Sequence, residues 1–360
     1  MKKRIESLQA LRAIAMAGIV MAHFGIRVSW AHLGVAIFFV ISGFVSAYTA
    51  DSSVYSSKTV SVERAFSRIK KIYPLHIITM LAVMMLQIAE ALVEHNNGIA
   101  VGVWLRNLVM NLFLVQSWLP NLQITLSFNG VAWFLSALYF ILIFEGFIIK
   151  YTNKLAESRA KGTLSIIGIL AAQIMAAALV YKVFGISEIF EWSTYHSPLF
   201  RVGDYAAGCI IGRLYKDGKL RPSGTAKELA VTAAVVAFYV FKQRVPKSNL
   251  SSMLLNNTTL YCAFGIMLVC IFVTSKGVIT GVMTNRITVF LGDYSGYVYL
   301  IHYAIIIYVN TVIGHLGIAV TRNRRVLLCL IEITMSYAIA WIYGKCIKRN
   351  SKKDLLPHAR

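Results

Sequence analysis

The stretch 7-SLQALRAIAMAGIVMAHFG-25, followed after a short gap by 33-LGVAIFFVISGFV-45, decides how the rest of the chain reads. No charged residue lies between Arg12 and His23. Eleven positions make close to a whole number of α-helical turns, so the two side chains share a face. At about 1.5 Å per residue they stand roughly 16 Å apart along the axis. A permanent cation and a titratable imidazole on one apolar helix are costly in a membrane, and such groups mark functional sites by default. The plainer alternative is an arginine that snorkels to the interface and a histidine satisfied by a neighbouring helix. From these residues alone both readings stand.

Composition places that helix in a membrane. The chain has 360 residues, 58% of them hydrophobic and 14% charged, with a mean hydropathy of +0.66. Soluble domains carry about 25% charged residues. The five cysteines show no paired spacing and sit in or beside apolar runs, as small hydrophobes do. The start, MKKRIESLQA, has the basic opening of a signal peptide, but Arg12 and His23 interrupt the apolar segment after it and no small-residue cleavage pattern appears. A retained first span is expected.

Spans are expected near 8–27, 33–50, 73–94, 131–149, 163–184, 198–215, 227–241, 257–275, 288–313 and 325–347. The fold class is therefore an all-α integral-membrane bundle of about ten helices. The expected organisation is a transmembrane domain over 1–347 and a cytoplasmic tail over 348–360. With both termini inside, 26 of the 36 Lys and Arg lie nearer the cytoplasmic side and 10 nearer the other, as the positive-inside rule requires. The same distribution explains the net charge of +21 without invoking nucleic acid. The apolar stretch 101–118 would invert every later loop if it spanned. It is expected to be a re-entrant or interfacial helix with Trp104 and Trp118 as boundary anchors. The expected location is the cell membrane, as a multi-pass protein.

Several positions suggest chemistry or packing. Gly34 and Gly43 permit close helix approach, and Ser42 can hydrogen-bond across one. In VERAFSRIKKIYPLH, Arg68 and Lys71 lie one turn apart. They read either as an ordinary positive-inside anchor or as a site for a phosphorylated ligand on the cytoplasmic side. Arg201 and Asp204 are spaced to pair with each other. Glu332 has no evident partner, His76 is expected at the interface, and no role is assigned to His32, His95, His196, His315 or His358. No P-loop, no dinucleotide-binding glycine pattern and no metal-spaced His/Cys cluster appears.

The motifs as a set resemble acyltransferase family 3, the integral-membrane acyltransferases that O-acylate extracytoplasmic glycans. The opening is similar to the exopolysaccharide-associated branch. The matching text is LQALRAIA with the R-x10-H pair Arg12 and His23, FFVISGF at 38–44, and R-x-x-K-I-Y-P at 68–74. It continues with AWFLSALYF at 132–140, FRVGDYAAGCIIG at 200–212 and LGDYSGYVYLIH at 291–302. The resemblance implies His23 as catalytic base, Arg12 as its essential partner, and Arg68, Lys71 and Tyr73 as donor-binding residues. Ser42, Trp133, Tyr299 and His302 are candidates for the cavity or acceptor side. Acyl-CoA, acetyl-CoA by family habit, would be a co-substrate, with no cofactor and no metal. The acceptor would be a carbohydrate hydroxyl, extracytoplasmic or lipid-linked, and the remaining partner the bilayer.

Two departures stand out. Lys71 replaces the commoner arginine, keeping charge but losing bidentate phosphate binding. Leu138 stands where many relatives carry a glutamate after the span-four tryptophan, and Glu145 lies too far along to replace it. The family's frequent periplasmic esterase-like domain is not expected after 347. On this reading the nucleotide end of CoA docks near Arg68 and Lys71, and the pantetheine arm runs up the Arg12 face toward His23. A transporter or glycan flippase is the competing class. It predicts matched broken helices in two halves and charges spread along a path, whereas the charges here gather at the first span and the adjoining loop.

Overall fold

The computed structural model describes residues 4–26, 30–51, 60–93, 101–245, 258–318 and 321–353. His95 and His358 lie outside them. The described residues are helical, apart from turns and one isolated bridge between Ser223 and Ser275. In order the helices are α1 (Glu6–His23), α2 (Ala31–Thr49), α3 (Val62–Ile69), α4 (Tyr73–Val93), α5 (Val101–Leu112) and α6 (Leu122–Thr125). After a 3-10 turn come α7 (Trp133–Ile143), α8 (Glu145–Leu155), α9 (Arg159–Phe184) and α10 (Glu188–Glu191). A π turn then leads to α11 (Pro198–Lys216), α12 (Thr225–Arg244), α13 (Thr258–Thr274), α14 (Val278–Met283), α15 (Arg286–His315) and α16 (Arg322–Lys353).

A helix, in one case a broken pair, occupies each of the ten stretches expected to span. Among the described residues, five helices are long and apolar enough to cross a membrane: α2, α4, α9, α15 and α16 over Asn323–Ile347. The broken pair of α7 with its preceding turn and α8 makes a sixth. By this measure five or six of the ten expected spans are supported. The reason is visible in the shortfalls. Helix α1 spends residues on Glu6, Gln9, Arg12 and His23, α11 on Arg201, Asp204, Arg213 and Lys216, and the apolar part of α13 is short. Of these groups, Arg201 and Asp204 are fully buried. Helix α5 has 12 residues, too few to span. The Trp118 indole donates to the Ser136 carbonyl (3.2 Å) and packs edge-on against Phe140.

The core is α1, α2, α11 and α15. Helices α2 and α11 run parallel at very close range through Gly43, Gly208 and Gly212. A Cβ at any of the three would overlap backbone of the opposite helix: Tyr205 for Gly43, Val40 for Gly208 and Phe44 for Gly212. Gly208 and Gly212 form the small-xxx-small pattern that lets apolar helices gain contact where burial from lipid supplies no drive. Gly34 likewise faces the Ala15 carbonyl, and Gly292 brings α15 onto Gln9 of α1. The close approaches expected at Gly34 and Gly43 are present. Ser42 differs: its hydroxyl donates to Phe38 of its own helix (2.7 Å) instead of crossing to another.

The break between α7 and α8 bends the chain by 70° at Phe144. Ending α7 frees carbonyls, and the Ser61 amide donates to that of Ile143 (3.0 Å). Ser61 is also the N-cap of α3, its hydroxyl accepting from the Arg64 amide. One backbone break therefore docks the short basic helix that carries Arg68.

At the other side of the bundle Glu228 of α12 is fully buried and ties two segments together. Its carboxylate accepts from Ser275 Oγ (2.7 Å), Ile279 N (2.9 Å) and Thr280 N (3.1 Å), capping α14 from another helix. Removing a cap costs about 0.5–2 kcal/mol. Glu228→Ala is expected to lower the melting temperature of the detergent-purified protein, and an unchanged transition would contradict this account.

Candidate active site

A cavity of about 360 Å³ opens between α1, α2, α3, α7 and α15, and Arg12, Arg68 and Lys71 all line it. The acidic residue in its lining, Asp293, accepts two hydrogen bonds from Arg4 at 2.7 Å each. Arg12 makes a long contact with Gln9 (3.5 Å), and its Nε is buried without a partner. Arg68 is held more firmly. Its Nη2 donates to Ser46 Oγ (2.8 Å) and stands 3.4 Å from Glu145 Oε1. Glu145 is fully buried and also accepts from Tyr205 Oη (3.0 Å). The 70° bend aims this carboxylate inward, so the break supplies both the dock for α3 and the counter-ion that orients Arg68. The cavity carries excess positive charge suited to an anionic ligand.

Three rings close its deep end. Phe38, Phe134 and Tyr299 all line the cavity, with centroids 6.2, 6.4 and 5.3 Å apart in pairs. Beyond them, Tyr299 lies 5.9 Å from the His302 ring, and His302 Nε2 lies 3.1 Å from His23 Nδ1. Tyr303 meets His23 edge-on at 5.2 Å. His302 is 1% exposed, whereas His23, at the last turn of α1, is exposed. Arg12 and His23 thus serve opposite sides of the ring cluster, with Arg12 in the cavity and His23 beyond it.

The expected site residues divide accordingly. Arg12, Ser42, Arg68, Lys71 and Tyr299 share the cavity; His23 and His302 form a pair at its far side. Tyr73 and Trp133 do not line it. The Tyr73 hydroxyl is engaged by the Leu112 carbonyl (2.8 Å), pinning α4 to the end of α5. Trp133 is buried against Tyr195 and His196, beneath the Arg201 guanidinium. His76 is fully buried, not interfacial, with its Nε2 3.0 Å from the Asn111 carbonyl oxygen. Arg201 and Asp204 do pair with each other (2.8 Å), both fully buried, and Gln173 donates to Asp204. Glu332 is buried with one carboxylate oxygen unpartnered. Glu145, which stands 3.4 Å from Arg68 beside the cavity, is a candidate that spacing misses. Counting along a straight helix puts it too far from Trp133, and only the bend brings it to Arg68.

A bundle of apolar helices around a cationic cavity and an imidazole pair fits a membrane-embedded group-transfer enzyme. The chain belongs to acyltransferase family 3, whose acyltransferase-domain model matches residues 5–344. It is therefore a transferase acting on acyl groups. The acyltransferase MdmB of Streptomyces mycarofaciens is 26% identical over 294 residues, covering 78% of this chain and 70% of the relative. No solved structure matches.

Proposed function

We propose that this protein transfers an acyl group, acetyl by preference, from acyl-CoA to a hydroxyl of a carbohydrate, extracytoplasmic or lipid-linked, across a cell membrane in which both termini are cytoplasmic. The observation that carries the reading is the convergence of Arg12, Arg68 and Lys71 on one cavity that ends at rings touching the His302–His23 pair. The phosphates of CoA are the anionic group such a cavity suits, and its volume falls within the range of small-molecule sites. The reactive thioester passes the Phe38–Phe134–Tyr299 cluster and meets the acceptor beside His23.

His23 then takes the proton of the acceptor hydroxyl as the oxygen forms its bond to the thioester carbonyl carbon. The tetrahedral adduct collapses by breaking the carbon–sulfur bond, and the imidazolium returns its proton to the departing sulfur. The products are the O-acyl ester and CoA. Neutral imidazole suits the role because its ordinary pKa lies near working pH.

The test is acceptor-dependent release of CoA from acetyl-CoA by purified protein in liposomes, supplied with cell-surface glycan or lipid-linked sugar. Release with concurrent ester formation is expected; acetyl-CoA that neither binds nor turns over with any acceptor would overturn the reading. Within the same assay Arg68→Ala is expected to raise KM for acetyl-CoA about tenfold or more, the worth of a charge-assisted phosphate contact. An unchanged KM would remove Arg68 from donor binding.

A further inference from the structure

The proposed chemistry needs His23 to keep its lone pair on one defined nitrogen, and two hydrogen bonds decide which. His302 Nδ1 lies 3.0 Å from the Val298 carbonyl oxygen, one turn back on α15. A carbonyl can only accept, so this nitrogen carries the hydrogen. A neutral imidazole has one N–H, which leaves His302 Nε2 as an acceptor. That atom stands 3.1 Å from His23 Nδ1, so His23 Nδ1 must be the donor. Its own Nε2 then bears the free lone pair. The opposite arrangement would need a second proton on His302, placing a charge on a side chain 1% exposed, which is costly without a paired anion.

We infer that His302 is a positioning residue: it fixes His23 in the Nδ1–H tautomer, so that Nε2, on the exposed ring of the pair, is the atom that takes the acceptor's proton. This inference rests on the acyl-transfer reading for its catalytic consequence, though the tautomer itself does not. In hydrolytic triads a buried carboxylate performs this service for the catalytic histidine. Here a neutral imidazole, itself anchored by a backbone carbonyl, does so without placing an anion in an apolar interior. When His23 becomes an imidazolium its Nδ1–H bond to His302 is retained, and no further proton moves. The buried partner thus acts through orientation, while His23 alone exchanges the proton.

Two substitutions separate this role from packing. In His302→Asn the amide can reproduce the Nδ1 bond to Val298 but leaves nothing at the position of Nε2. In His302→Gln the longer amide carries an oxygen to that position and can accept from His23. We expect Asn to lower kcat at least about tenfold with KM for acetyl-CoA unchanged, and Gln to restore most of the rate. The independent readout is nitrogen NMR of ¹⁵N-histidine-labelled protein in liposomes, with the His23 signal identified by its loss in His23→Ala. Wild type is expected to show His23 protonated on Nδ1, and the Asn variant a mixture of tautomers. A wild-type His23 protonated on Nε2, or equal rates for the Asn and Gln variants, would overturn the inference. Protein inactive with every acceptor but holding the Nδ1–H tautomer would fault the acyl-transfer reading and leave the positioning intact.

Discussion

His23→Ala is expected to slow CoA release about 10²–10⁴-fold at saturating donor and acceptor, the range a positioned general base contributes. The KM for acetyl-CoA is expected to stay within about twofold of wild type. The separation follows from geometry. Arg12, Arg68 and Lys71 line the cavity, whereas His23 stands beyond the ring cluster and roughly 16 Å from Arg12 along α1. Truncating the imidazole removes nothing the donor's phosphates would touch. His302 is left in place but loses the ring it holds, so the double variant with His302→Asn should be no slower than His23→Ala alone. Groups that act as one unit are non-additive in this way. Full activity in His23→Ala would remove it as the base. A collapse of donor affinity alongside the rate would instead mean that the imidazole side chain supports the cavity.

Gly208→Ala is expected to be strongly damaging, as are the matching changes at Gly43 and Gly212. Overpacking a tight interior costs typically 1–3 kcal/mol and sometimes more. Here the added methyl meets backbone of α2 at Val40 and Phe44, which cannot swing aside as a side chain would. Helices α2 and α11 must separate, and with them the wall carrying Ser42 and Ser46. The expected result is loss of monodisperse protein or a melting temperature lowered by several degrees, measured in detergent. The control is Gly168→Ala on α9, where nothing lies within 4 Å of the new Cβ. That change should be neutral or stabilising, since alanine favours a helix over glycine by about 1 kcal/mol. Equal behaviour of the two variants would contradict the close-packed seam.

How much of this was legible before the structure depends on what each residue's partner is. Helix positions followed from apolar runs, a local pattern, whereas the spacing of Arg68 and Lys71 left an ordinary anchor and a ligand site both open, and only the fold brings them to one cavity with Arg12. The pairing of Arg201 with Asp204 was legible because it lies within one turn. Tyr73 and Trp133 stand outside the cavity lining because proximity in sequence to a motif does not say which way a side chain turns; each is held by a distant element. The His23–His302 bond joins residues 279 positions apart, which no periodicity encodes. Glu145 needed the break at Phe144, and a bend without proline or glycine at its apex carries no sequence mark of the usual kind. The difference between ten expected spans and five or six has more than one source: α1 and α11 carry charged residues, and the apolar part of α13 is short.

The seam between α2 and α11 also sets a timetable for synthesis. Gly43 leaves the ribosome about 165 residues before Gly208, and at about 5–20 residues per second that is a wait of about 8–30 s. Throughout that interval α2 has lipid or an insertion helper, not its native neighbour, against its glycine face. Helix α1 waits longer still, since Gly292 and His302 arrive with α15. A nascent chain therefore exposes Arg12 and His23 well before either has the surroundings that hold it. Chains that terminate early should be cleared by quality control, because no N-terminal fragment ending before α15 contains both members of the histidine pair.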